Sequence, residues 1–128
     1  IGIAVNDLFQ ACTVYEKLLG TSCYKQESVD SEKVTTAFFS VGGHKIELLA
    51  STADDGPIAK FLNKKGEGIH HIAFEVSDIH AEMTRLKAEG FTLLNEEPKK
   101  GADNKLICFV HPKGTNGVLI ELCQEISS

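Results

Sequence analysis

Three side chains stand out because the chain around them leaves little room for water. Glu47 lies inside Ile46-Glu47-Leu48-Leu49, and Glu121 inside Val118-Leu119-Ile120-Glu121-Leu122-Cys123. A carboxylate in an apolar run is costly to bury unpaired. His71 opens a third run, Ile72-Ala73-Phe74-Glu75-Val76. On a strand, His71, Ala73 and Glu75 share one face, while His70, Ile72, Phe74 and Val76 share the other. Imidazole nitrogens and carboxylate oxygens are the donors that a divalent cation selects, and carboxylates also carry protons. The expectation is that Glu47, His71 and Glu121, far apart along the chain, serve one metal ion. The plainer alternative is that both glutamates point outward from half-exposed strands. Their matched positions in a repeat weigh against it.

The repeat covers the whole chain. Ile1-Gly2-Ile3-Ala4-Val5-Asn6-Asp7 and Ile72-Ala73-Phe74-Glu75-Val76-Ser77-Asp78 both read as a short strand ending at a helix cap. Leu8, Cys12, Tyr15 and Leu19 then form one helical stripe, stopped by Gly20, and Ile79, Met83 and Leu86 form another, stopped by Gly90. Further strands are expected at Cys23–Glu27, Val34–Val41 and Lys45–Ala50, and again at Phe91–Asn95, Leu106–Val110 and Val118–Cys123. Each half therefore reads βαβββ. Between them, Pro57 opens a short helix with Ile58, Phe61 and Leu62 on one face. Gly2 and Ala4, small residues on the first strand, leave space on the face that His71 occupies in the second repeat. Repeat symmetry asks for a fourth ligand, a histidine directly before Ile1. The chain opens there in mid-strand without an initiator Met, so residues upstream are expected.

Composition narrows the function. With 128 residues, 42% hydrophobic and 24% charged, the chain reads as one ordinary globular domain. A net charge of −5 argues against nucleic acid as the main partner. No apolar run approaches the ~20 residues of a membrane span, and no signal-peptide pattern opens the chain. Cys12, Cys23, Cys108 and Cys123 fall in apolar patterns and read as reduced thiols. Of the remaining histidines, His44 reads as a turn residue, His80 as helix surface, and His111 as a strand-end residue, either a plain surface turn or a group that helps hold a substrate.

Tandem βαβββ units with His and Glu at strand ends resemble the vicinal oxygen chelate (glyoxalase-like) superfamily. Within it the chain resembles the methylmalonyl-CoA epimerases. The residues that carry this are Ile1-Gly2-Ile3-Ala4-Val5, Lys45-Ile46-Glu47-Leu48-Leu49, Pro57-Ile58-Ala59-Lys60-Phe61-Leu62, Gly68-Ile69-His70-His71-Ile72-Ala73-Phe74-Glu75-Val76, Glu97-Pro98-Lys99, and above all Phe109-Val110-His111-Pro112-Lys113 leading to Gly117-Val118-Leu119-Ile120-Glu121-Leu122. The resemblance implies an α+β fold of two tandem βαβββ modules in one domain over residues 1–128: module one about 1–50, a connector about 51–68, and module two about 69–128. It implies metal ligands at Glu47, His71, Glu121 and the position before Ile1. The cation would be Co2+ first, with Zn2+, Mn2+, Ni2+ or Mg2+ as alternatives. It implies a homodimer acting on a CoA thioester, in the cytoplasm or, in a eukaryote, the mitochondrial matrix, with no membrane or nucleic-acid partner. Glu47 and Glu121 are the expected acid/base pair. His111 and Lys113 are expected at the substrate, and Lys99, Lys100, Lys105 and Lys113 are the candidates for the CoA phosphates, an ordinary solvated lysine being the plainer reading of any one of them.

One departure is visible. Some of these epimerases carry a further glutamate in the third strand, whereas Lys33-Val34-Thr35-Thr36-Ala37-Phe38 has none inside it and Glu32 lies just outside. Competing readings are a glyoxalase I-type lactoylglutathione lyase, a ring-cleaving dioxygenase with two His and one Glu on iron(II), and a metal-free binding protein on the same fold.

Overall fold

The computed structural model describes residues 1–127. In chain order the elements are β1 (Gly2–Ala4), α1 (Leu8–Leu19), β2 (Lys25–Val29), β3 (Val34–Val41), β4 (His44–Ser51), α2 (Pro57–Lys65), β5 (Gly68–Glu75), α3 (Ile79–Ala88), β6 (Lys99–Lys100), β7 (Lys105–Val110) and β8 (Ile120–Glu125). The chain forms two compact units, Ile1–His70 and the segment from His71 onward. Strand order is β2-β3-β4-β1 in the first and β5-β8-β7-β6 in the second. Each sheet combines antiparallel neighbours with one parallel pair, β1 beside β4 and β5 beside β8. The fold is the expected α+β repeat.

The helices form where the sequence places their caps. The Asp7 carboxylate accepts from the Gln10 amide at 3.1 Å, and that of Asp78 from the Ala81 amide at 3.0 Å. Gly20 ends α1 in the left-handed region, φ 67°, donating its N–H to the Glu16 carbonyl. The α1 stripe then packs with Val5, Ala37, Phe39 and Leu48. Ile79 and Met83 of α3 pack with Cys108, Val110 and Leu122, while Ile58, Phe61 and Leu62 of α2 pack with Ala4, Val34 and Leu49. We expect Asp7→Ala and Asp78→Ala each to cost about 1 kcal/mol of stability in urea unfolding, because each strands one helix-end donor.

Three expected boundaries differ. Phe91–Asn95 is not a strand: only Leu93 bridges to Val110. Leu94 N–H and His111 N–H do make backbone bonds across, to Phe109 O and Thr92 O. The next acceptor, however, is the Asn95 side chain, which takes the Phe109 amide at 2.9 Å. A side chain thus replaces the backbone rung, and regular pairing resumes only at Lys99 and Lys100. Val118–Cys123 starts later, at Ile120, because Val118 donates to the Thr115 carbonyl and closes a turn. Cys23–Glu27 shifts to Lys25–Val29, since the β2–β3 connection is a tight 3-10 turn, Asp30–Glu32, ended by Lys33 at φ 53°. All four cysteines are free thiols, Cys12 and Cys108 buried and Cys23 and Cys123 half-buried. No helix among the described residues is long and apolar enough to cross a membrane.

Candidate active site

Register decides which side chains share a face. In the second unit, Ala73 of β5 and Phe109 of β7 both lie opposite Glu121 of β8. Paired residues project to the same side of a sheet, and alternation adds His71. The other side carries Cys108, Val110 and Leu122, which α3 covers. His71 and Glu121 therefore belong to the face that α3 leaves uncovered, as strand alternation predicts.

His71 is only 4% exposed. Its Nε2 stands 3.7 Å from Glu121 Oε1, whose side chain is 13% exposed. The Phe109 ring meets the imidazole edge-on at 6.1 Å. At 3.7 Å the two atoms are too far apart for a normal hydrogen bond. With metal–ligand bonds of about 2.1 Å, two donors on one ion stand roughly 3.0 Å apart at a right angle and roughly 4.2 Å apart on opposite sides. The observed separation lies between these limits, so the pair fits two positions of a common coordination shell. No group of three or more His, Cys, Asp or Glu side chains gathers as a metal shell among the described residues.

The first unit repeats the register. Gly2 of β1 and Phe38 of β3 both lie opposite Glu47 of β4, and Lys25 of β2 lies opposite Phe38. Gly2 matches Ala73, Phe38 matches Phe109, and Glu47 matches Glu121, so the counterpart of His71 would precede Ile1. Glu47 is half-buried on the side opposite Ile46, Leu48 and Phe39, which face α1. Phe38, 0% exposed, lies beneath two ammonium groups, Lys25 Nζ at 5.8 Å and Lys45 Nζ at 5.2 Å from its centroid.

The other candidates divide. His70 points away from His71 and stacks edge-on against Phe61 at 5.0 Å. Burial, reinforced by the nearby Lys65 charge, holds its imidazole below the usual histidine range. His111 caps a short 3-10 turn, Pro112–Gly114, its Nδ1 accepting the Lys113 amide at 3.0 Å. Lys113 itself is exposed. His44 and His80 are exposed, as expected of a turn and a helix surface. Lys105, expected near phosphates, pairs with Glu75 at 3.0 Å on the same face as Glu121. Burial pulls the Lys105 ammonium down, but the Glu75 hydrogen bond and charge outweigh it and hold the group above its ordinary value. Sequence reasoning missed Phe38 and Phe109 as the residues flanking the two glutamates. Strand alternation through Lys105-Leu106-Ile107-Cys108-Phe109 groups Phe109 with Lys105 and Ile107, and only the register sets it across from Glu121.

The family model for the Glyoxalase/Bleomycin resistance protein/Dioxygenase superfamily matches residues 1–109. The chain belongs to this superfamily. Among superfamily relatives, the ethylmalonyl-CoA/methylmalonyl-CoA epimerase of Cereibacter sphaeroides is 43% identical over 126 residues, spanning 97% of this chain and 94% of the relative. The mitochondrial methylmalonyl-CoA epimerase of Homo sapiens is 41% identical over 125 residues, 97% of this chain and 71% of that protein. A methylmalonyl-CoA epimerase solved in complex with methylmalonyl-CoA and NH4+ superposes with a TM-score of 0.92 at 34% identity, covering 99% of this chain and 92% of the other. The family expected from the sequence is therefore borne out, and its relatives and structural neighbours include methylmalonyl-CoA epimerases.

Proposed function

We propose that this protein is a methylmalonyl-CoA epimerase that interconverts the (R) and (S) thioesters by removing the α-proton and returning it on the opposite face. The observation that carries the reading is the buried His71–Glu121 pair on the uncovered sheet face, repeated in register by Glu47 of the first unit. Glu47, His71 and Glu121 are the proposed ligands of a divalent cation, cobalt first and zinc, manganese, nickel or magnesium next. Such a cation, when bound, supplies Lewis-acid stabilisation of negative charge on the thioester oxygen.

Epimerisation needs a proton carrier on each face of a planar enolate. Glu47 and Glu121, equivalent residues of the two repeats, are assigned those roles. Phe109 opposite Glu121 and Phe38 opposite Glu47 give each carboxylate an apolar neighbour, which limits the access of water on that flank while the carboxylate takes the α-proton. His111 and Lys113 are assigned to the CoA substrate, with Lys113 exposed and able to meet an anionic group. The protein is further proposed to act as a homodimer, in a bacterial cytoplasm or a mitochondrial matrix.

Incubation with methylmalonyl-CoA in deuterated solvent tests the reading. Deuterium should enter the α-position, exchange should fall on chelator treatment, and it should return with added cobalt. Absence of exchange at any metal loading, with lactoylglutathione formed from the glutathione hemithioacetal, would replace the epimerase by a glyoxalase I-type lyase.

A further inference from the structure

A row of residues crosses the Glu47 face of the first sheet. Gly2 of β1, Glu47 of β4, Phe38 of β3 and Lys25 of β2 stand opposite one another in turn. Their side chains therefore share one side. Lys45 precedes Glu47 by two residues on β4 and joins that side by alternation, opposite Ser40. α2 occupies the Leu49 side of the row, through Ala4, Val34 and Leu49, and Lys45 stands on the other side. Phe38 lies on the face that α1 does not cover, yet it is 0% exposed. Its cover includes the Tyr24 ring, with centroids 6.1 Å apart, and the two ammonium groups at 5.8 and 5.2 Å. Glu27 holds Lys25 from the sheet border at 3.3 Å. A ring face attracts one ammonium. Two at one ring repel each other, and the fold accepts that repulsion next to a half-buried carboxylate.

Resting on the epimerase reading, we propose that Lys25 and Lys45 form the seat of the substrate's free carboxylate and so set the preference for malonyl-type thioesters over simple acyl thioesters. A thioester whose α-proton is taken by Glu47 brings its α-carbon to this row, and the carboxylate is bonded to that same carbon. The CoA phosphates are a full pantetheine arm away from it, beyond ammonium groups gathered over Phe38. An arriving carboxylate places one oxygen toward each ammonium and turns their mutual repulsion into attraction. Loss of the α-proton then adds negative charge directly beside the carboxylate, and the two fixed cations offset that repulsion. The lysines bind and orient; no bond to them is made or broken. A lysine on each side of one ring also fixes the direction of the carboxylate, and hence the face of the α-carbon turned to Glu47.

The test compares two ligands by calorimetry on the full chain: methylmalonyl-CoA, and propionyl-CoA, which has the same CoA arm without the carboxylate. Wild type should bind methylmalonyl-CoA more tightly. Lys25→Met and Lys45→Met keep an apolar stem over Phe38 and remove the charge. Each should weaken methylmalonyl-CoA about tenfold, the scale of one charge-assisted contact, and leave propionyl-CoA unchanged. Lys25→Arg and Lys45→Arg should restore most of the preference. Lys25→Gln and Lys45→Gln give the same readout where methionine disturbs the packing, which melting temperatures report. Deuterium entry into methylmalonyl-CoA with wild type, measured in parallel, tests the epimerase reading by itself, so the two failures are told apart. Equal weakening of both thioesters would move the lysines to the CoA phosphates or to packing alone. That result, unchanged binding of both in the variants, or no preference in wild type would each overturn the proposal.

Discussion

Glu121→Gln is expected to slow deuterium entry into methylmalonyl-CoA by about 10²- to 10⁴-fold, the range general acid–base groups contribute. Glutamine keeps the shape and the apolar packing beside Phe109 but cannot carry a proton at neutral pH. It also removes the negative oxygen that stands 3.7 Å from His71 Nε2. Fold should survive. The side chain is 13% exposed, and replacing a largely buried carboxylate by a neutral amide of equal volume relieves desolvation as it removes charge. A melting temperature within a few degrees of wild type, together with the loss of exchange, separates chemistry from folding. Full exchange in the variant would remove Glu121 from the mechanism. Titration of the variant with cobalt gives an independent readout, since a lost ligand weakens binding whether or not the carboxylate also moves protons.

Phe39→Ala should give the largest loss of stability, about 3–5 kcal/mol. Phe39 is 0% exposed and packs with Val5, Cys12, Ala37 and Leu48, its ring 6.5 Å from that of Tyr15. Its removal opens a hole between α1 and the sheet, where strands of fixed register cannot collapse inward. Against a total of about 5–15 kcal/mol for a domain, such a loss is large. Urea unfolding should show a lower midpoint at unchanged slope. Phe38→Ala makes the informative contrast. Its side chain is equally buried but lies on the Glu47 side, under Lys25 and Lys45. It should therefore reduce both stability and turnover, whereas Phe39→Ala, assayed well below its melting temperature, should spare turnover. A Phe39→Ala loss under about 1.5 kcal/mol would mean that the helix and sheet close over the gap.

Periodicity carried most of the fold. Asp7 and Asp78 as caps, the Leu8–Leu19 stripe, Pro57 at a helix start and the two βαβββ halves are local patterns, and local patterns survive in the linear chain. Strand alternation also placed His71 on the Glu121 side and His70 on the other. Two of the three displaced boundaries share a cause, a side chain doing what backbone usually does, while the β2 shift comes from the tight turn at Asp30–Glu32. Asn95 takes the Phe109 amide and thereby dissolves the expected strand at Phe91–Asn95. The Thr115 hydroxyl, donating to the Val118 carbonyl, reinforces the turn that delays β8. Register was equally out of reach from pattern alone. That Phe38 and Phe109 sit across from Glu47 and Glu121, and that Lys105 reaches Glu75, follow from which residues pair between strands distant in sequence.

The brevity of β6 bears on solubility. It holds only Lys99 and Lys100, so the outermost rung of the second sheet is two residues long and doubly cationic. Another chain seeking to extend that border would find almost no run of amides and carbonyls to zip onto, and would meet like charge if it brought its own copy of the same segment. By this route the Asn95 interruption, which shortens the border, also guards crowded solutions of the protein against fibre growth.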